Sequence, residues 1–96
     1  MSSNPVVVLG ESGMLGGYVS RYLSERSLTV AVPERFDAAR VGEAELAEIL
    51  KPLHARAVIN SIGAIRQRDV SEAQMHAVNA EFPHRLASVC NALCVP

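Results

Sequence analysis

The chain has 96 residues, 49% of them hydrophobic and 20% charged, with a formal net charge of −1. That length holds at most one domain, and that apolar content builds a globular core rather than a disordered tail. The near-neutral balance argues against a nucleic-acid partner, which needs a basic face, and no run approaches the roughly 18 apolar residues of a membrane helix. No basic segment leads into a long apolar stretch of the secretory kind, so a cytoplasmic location is expected.

The first predicted strand covers Pro5 to Leu9 and is apolar throughout, as a buried parallel strand should be. It breaks directly into Gly10-Glu11-Ser12-Gly13-Met14-Leu15-Gly16, after which a helical pattern runs from Met14 to Glu25. Glycines between a strand and a helix allow a tight turn, a close approach of backbone to a pyrophosphate and close packing of helix on strand. The unpaired N–H groups and the dipole at the helix start favour an anion there. Candidate binding residues are therefore Gly10, Gly13 and Gly16, the backbone N–H groups of Met14 and Leu15, and the Ser12 hydroxyl. Met14, Leu15, Tyr18, Val19, Tyr22 and Leu23 recur at helical spacing and form the predicted apolar face of this helix.

A second strand is predicted from Leu28 to Val32, closed by Pro33. Glu34 and Arg35 follow it, at the place where a dinucleotide-binding unit reads the ribose: an acid accepts from a 2′-hydroxyl, an arginine pairs with a 2′-phosphate. With one of each, the choice between NAD and NADP stays open. Asp37, a little further on, is a candidate acceptor from an adenine amino group or a polar loop residue. The next helix is predicted from Glu43 to Leu50, with Glu43 and Glu45 in the first turn, where the dipole favours acids.

Ala57 to Ser61 is the third predicted strand. Ser61, Ile62 and Gly63 stand at its carboxyl end, where open α/β sheets bind ligands. Asn60 and Asn79 are read as structural supports, and Arg66, Arg68 and Asp69 as a solvated loop in preference to a phosphate contact. A short helix from Ser71 to Val78 and a longer one to Leu93 complete the pattern, with Pro83 in the first turn of the longer one. Cys90 and Cys94 are read as two free core thiols, and His54, His76 and His84 have no partners at metal-site spacing, so no metal is expected. The alternation of strands and helices implies a three-layer α/β fold: a parallel sheet with the first strand in the middle and helices on both faces.

Gly10-x-x-Gly13-x-x-Gly16, Val58-Ile59-Asn60-Ser61-Ile62-Gly63, Ala77-Val78-Asn79-Ala80-Glu81 and Arg35-Phe36-Asp37 together resemble the N-terminal half of an extended short-chain dehydrogenase/reductase. The nearest branch is the dTDP-4-dehydrorhamnose reductase-like (RmlD-like) sugar-nucleotide reductases. The resemblance implies a single, partial Rossmann domain over residues 1–96, truncated before the catalytic half, with NADP or NAD as cofactor. It implies an oxidoreductase that reduces a keto group on a nucleotide sugar, the sugar being met in a longer product. Members use a Tyr-x-x-x-Lys pair. Here the tyrosines are Tyr18 and Tyr22 and the sole lysine is Lys51, so no catalytic residue is assigned and the chain alone is expected to be inactive. The alternative is a non-catalytic nucleotide-binding or interaction module, or a decayed fragment of such an enzyme. An open sheet edge beyond the third strand, and a last helix whose Leu86, Val89, Cys90 and Leu93 stay partly wet, lead us to expect self-association.

Overall fold

A computed structural model describes residues 4–10, 13–33, 35–63 and 71–96. Glu11, Ser12, Glu34 and the segment 64–70, which carries Arg66, Arg68 and Asp69, lie outside the described residues. Three strands, β1 (Val6–Leu9), β2 (Val30–Ala31) and β3 (Ala57–Asn60), pair in parallel in the order β2–β1–β3, as expected. Val6 lies opposite both Val30 and Ala57, and Val8 lies opposite Ile59. All four residues of β1 are buried. The central strand is covered on both faces, which is why it shows no polar alternation.

Successive side chains of a strand point to opposite faces. Val7 and Leu9 enter one core with Leu46 and Leu50 of α2 (Glu43–Leu50) and with Phe82, Leu86, Val89 and Cys90 of α4 (Phe82–Ala92). Of the α4 face expected to stay partly wet, Leu86, Val89 and Cys90 are instead buried and Leu93 is half-buried: α2 packs along the helix, and Ser88 Oγ donates to Glu43 Oε1 across the pair at 3.1 Å. Phe36 reaches this core from the loop after β2, its ring centroid 5.8 Å from that of Phe82.

Val6 and Val8 face the other layer, where α1 (Met14–Glu25) packs against β1 and β2. Here the predicted apolar face needs correction. Gly16 is buried and Val19 and Leu23 are half-buried, whereas Met14 is 95%, Leu15 62%, Tyr18 65% and Tyr22 45% exposed. The contact line is the row Gly16–Val19–Leu23, at helical spacing. Among the described residues no second helix lies beside α1 to cover the rest of its apolar surface.

Strand β2 is shorter than its predicted span of Leu28 to Val32, because the flanking residues have other work. Leu28 N–H donates to Leu23 O and Ser27 N–H to Ser24 O, with Ser27 left-handed at φ 63°: a Schellman end to α1. Thr29 O then accepts from Val6 N–H at 2.8 Å. The end of α4 repeats this geometry. Val95 N–H donates to Cys90 O and Cys94 N–H to Asn91 O, Cys94 has φ 58°, and Pro96 O accepts from Val58 N–H on β3 at 3.0 Å. The outer edge of β3, expected to be open, thus has one of its N–H groups satisfied from within the chain.

The two helices expected after β3 form one continuous path: α3 (Glu72–His76), a π-helical turn (Ala77–Glu81) and α4. Ser71 starts it with a capping box, its hydroxyl accepting from Gln74 N–H and its N–H donating to Gln74 Oε1. Pro83 has no N–H to offer the carbonyl of Asn79 four residues back. The preceding turn widens, and Phe82 N–H bonds five residues back to Ala77 O.

The cysteines differ in environment, against the expectation of two core thiols. Cys90 is buried, and burial pushes its pKa up; Cys94, at the left-handed position past the helix, is exposed. Desolvation disfavours the reactive thiolate. Iodoacetamide near pH 8 should therefore modify Cys94 in the folded chain and reach Cys90 only in denaturant, as read by peptide mass mapping. Equal labelling of both thiols in the native state would contradict this packing.

Candidate functional site

From β1 the chain runs through α1 to β2 on one side, while β3 lies on the other side of β1. The crevice at the carboxyl ends of β1 and β3 is thus a topological switch point, the place where open α/β sheets bind ligands. A cavity of about 540 Å³ opens there, within the size range of small-molecule sites.

The loop after β1 builds its floor. Gly10 adopts φ +83°, and Gly13 N–H donates back to Gly10 O at 3.0 Å. A Cβ on Gly10 would stand 2.9 Å from Ile62 N and from the carbonyl of Ser61, so the loop can cross the end of β3 only without a side chain. On the β3 side, Ser61 donates to Leu9 O through both its N–H (3.0 Å) and its hydroxyl (2.6 Å), and Ile62 N–H donates to Asn60 Oδ1 (3.0 Å). Asn60 therefore holds backbone. Asn79, carried on the π-helical turn, brings its Oδ1 to 3.7 Å from where a Cβ on Gly63 would sit, against the exit of β3.

The start of α1 supplies the electrostatics. Its N-cap is Gly13, in extended backbone, with no side-chain cap and no acid in the first turn. The first N–H groups of a helix have no partner within it, and the dipole places roughly half a positive charge there. The other helix starts differ: α3 has its capping box, and α2 has Glu43 and Glu45 in its first turn. Among the described residues, α1 has the start left open to an outside anion.

Of the residues singled out in the sequence, Gly10, Gly13, Arg35, Asp37, Ser61, Ile62 and Gly63 line this one cavity. Met14, Leu15 and Gly16 occupy the first turn of α1 beside it: the first two turn their side chains to solvent, and Gly16 is buried against the sheet. Ser12 and Glu34 lie outside the described residues. Asp37 has local partners, Oδ1 accepting from Ala39 N–H at 2.9 Å and Oδ2 standing 3.8 Å from Arg40 Nε. Sequence reasoning missed the apolar wall of Val32, Pro33, Phe36 and Ala38. Its only sequence signal is Phe36, an aromatic residue in an otherwise polar stretch next to two candidate binding residues.

The model of the NAD dependent epimerase/dehydratase family matches residues 6–95. The chain belongs to that family. Its cofactor is accordingly a nicotinamide dinucleotide, NAD or NADP. The fold resembles the UDP-rhamnose synthase of Acanthamoeba polyphaga mimivirus, with a TM-score of 0.81 and 17% sequence identity over 95% of this chain. The chain spans about a third of that protein's length, 34%. No curated protein matches it significantly in sequence. Among the described residues, no helix is long and apolar enough to cross a membrane.

The residues fit such a cofactor on two counts: a crossing where no Cβ fits, and a helix start without a cap. The two glycines are separable by mutation. Gly10→Ala forces a side chain into a left-handed position against backbone and should destabilise the fold by about 2 kcal/mol or more. Gly13 is extended, and its Cβ would meet only Gly10 O at 3.4 Å, so Gly13→Val should cost about 1 kcal/mol. Urea unfolding of the two variants checks this; equal losses would mean the Gly10 crossing is not tight.

Proposed function

We propose that residues 1–96 form a single, partial dinucleotide-binding domain that holds the adenosine diphosphate portion of NAD(P) for an oxidoreductase acting on a nucleotide sugar. Within that class we assign it to keto-group reduction of the dTDP-4-dehydrorhamnose reductase kind. The uncapped start of α1, facing the glycine-floored cavity at the switch point, carries the reading. In it, the N–H groups of Met14 and Leu15, with Gly10, Gly13, Gly16 and the Ser12 hydroxyl, receive the pyrophosphate. In the same reading Arg35 and Asp37, with Glu34 named from the sequence alone, serve the adenosine end, and Ser61, Ile62 and Gly63 serve the ribose on the nicotinamide side. A nucleotide-sugar synthase among similar folds supports the substrate class.

The cofactor, when bound, supplies the hydride, and the protein supplies placement and a proton. These residues do the placing. Neither tyrosine is followed four residues on by lysine: Tyr22 is followed by Arg26, whose guanidinium carbon sits 4.4 Å over the Tyr22 ring, on a helix surface away from the cavity. The proton donor in this reading comes from polypeptide other than these residues.

Titration of the chain with NADP and NAD by calorimetry tests the assignment. Measurable binding by the parent, lost or at least tenfold weaker in Gly13→Val while the variant stays folded, is the expected result, because the added side chain fills the space a pyrophosphate would take. Equal affinity in parent and variant would reduce the glycine loop to a structural turn.

The same reading includes self-association through the sheet edge beyond β3, with apolar surface left exposed on the α1 layer adding to the drive. Met14, Leu15, Tyr18 and Tyr22 leave an apolar strip exposed on the α1 layer, and Ala57 and Ile59 on the same face of β3 are only half-buried. Covering such surface gains roughly 25 cal/mol per Å². Sedimentation over a concentration series should show the average mass rising; a monomer up to high micromolar concentration would contradict it.

A further inference from the structure

We infer that the Ser61 hydroxyl is a positioning group for this site: by holding the Leu9 carbonyl it fixes the peptide from which the glycine loop starts, and so sets affinity for a pyrophosphate without touching it. The inference rests on the reading of the cavity as a dinucleotide site. Ser61 is the residue after β3, half-buried, and it lines the cavity. Its N–H donates to Leu9 O at 3.0 Å, the next bond of the β1–β3 ladder. Its hydroxyl donates to the same oxygen at 2.6 Å, across 52 residues of sequence. The ladder needs only the first of these bonds, which any residue but proline supplies. The second exists because the side chain is serine.

A carbonyl oxygen has two lone pairs, and Ser61 occupies both of those on Leu9. That carbonyl belongs to the peptide leading into Gly10, whose φ of +83° begins the turn and whose own oxygen accepts from Gly13 N–H at 3.0 Å. From β1 to the N-cap of α1, two successive carbonyls are therefore held, the first by Ser61 and the second by the loop itself. A single donor lets a peptide plane rock about the bond; a second donor from another direction fixes its tilt. Tilt matters here because Gly10 passes so close to the Ser61–Ile62 peptide that a Cβ would stand 2.9 Å away. A loop already fixed spares binding the cost of ordering it, and one such hydrogen bond corresponds to about fivefold in an equilibrium constant.

ADP separates this role from a direct contact. It carries the adenosine and both phosphates but lacks the nicotinamide ribose, the group that Ser61 serves in the proposed reading. Ser61→Ala removes the hydroxyl and keeps the N–H bond to Leu9, so the variant should stay folded. Calorimetric titration should find ADP and NADP each bound about fivefold more weakly by Ser61→Ala, with the loss restored in Ser61→Thr, which keeps a hydroxyl. Before any ligand is added, amide exchange at Gly13, whose N–H closes the turn, should be faster in Ser61→Ala than in the parent. A loss confined to NADP would make Ser61 a ribose contact and overturn the inference, as would unchanged affinity for both ligands. Failure of ADP and NADP to bind the folded parent would overturn the dinucleotide reading itself. Gly13 exchange would still judge the hold on the loop, and equal rates in parent and variant would end it.

Discussion

The structure turns on one close crossing, where Gly10 passes over the Ser61–Ile62 peptide with no room for a Cβ. The contact brings the carboxyl ends of β1 and β3 together, and the bonds from Ser61 to Leu9 O hold them there. Gly13, the N-cap of α1, lines the same crevice as Gly10. A side chain at position 10 would push the Gly10 backbone away from β3 and widen the crevice. The conformation and the space both demand glycine, and they demand it for one reason: two backbones have to touch.

The two faces of the sheet are finished to different degrees. On one, α2 and α4 close over Val7 and Leu9, and the largest buried side chains, Phe82 and Leu46, lie in that core. On the other, α1 is the helix that covers Val6 and Val8 among the described residues, and its outer strip of Met14, Leu15, Tyr18 and Tyr22 meets solvent. The buried apolar cluster lies in the first layer, while α1 sits on the second. Anchoring of the helix to the sheet therefore depends on the narrow Gly16–Val19–Leu23 row, which makes the glycine at position 16 a packing residue as much as part of a loop motif.

Helix ends decide how the strands are reached. The ends of α1 and α4 use the same Schellman geometry, and the carbonyl two residues past the left-handed position, Thr29 in one case and Pro96 in the other, accepts from a strand N–H. Two exits of one design deliver chain to opposite edges of the sheet. Between α3 and α4 the chain meets a proline without breaking its helix: the π turn absorbs the missing donor, and it carries Asn79 to the end of β3. A feature that would ordinarily end a helix here places a side chain.

Much was legible in the sequence because it follows from local chemistry. An unbroken apolar run marks a strand covered on both faces; glycines between strand and helix mark a tight turn; first-turn acids and apolar residues at helical spacing place Glu43–Leu50 to the residue. The parallel order β2–β1–β3 follows from strand–helix alternation and the handedness of crossovers. Tertiary structure alone decided which apolar residues are buried. Periodicity places Tyr18, Val19, Tyr22 and Leu23 along one broad apolar stripe, but whether a neighbouring layer reaches all of them depends on what packs there, and among the described residues α1 has no helix beside it while α4 has α2. The same holds for Cys94, apolar by composition yet exposed at a left-handed helix end, and for the cavity wall of Val32, Pro33, Phe36 and Ala38, whose residues meet Gly10 only because the sheet brings the loops after β1 and β2 side by side. Local patterns are written in near-neighbour spacings; burial and the walls of a site depend on contacts between residues far apart in the chain, which form only when the layers close.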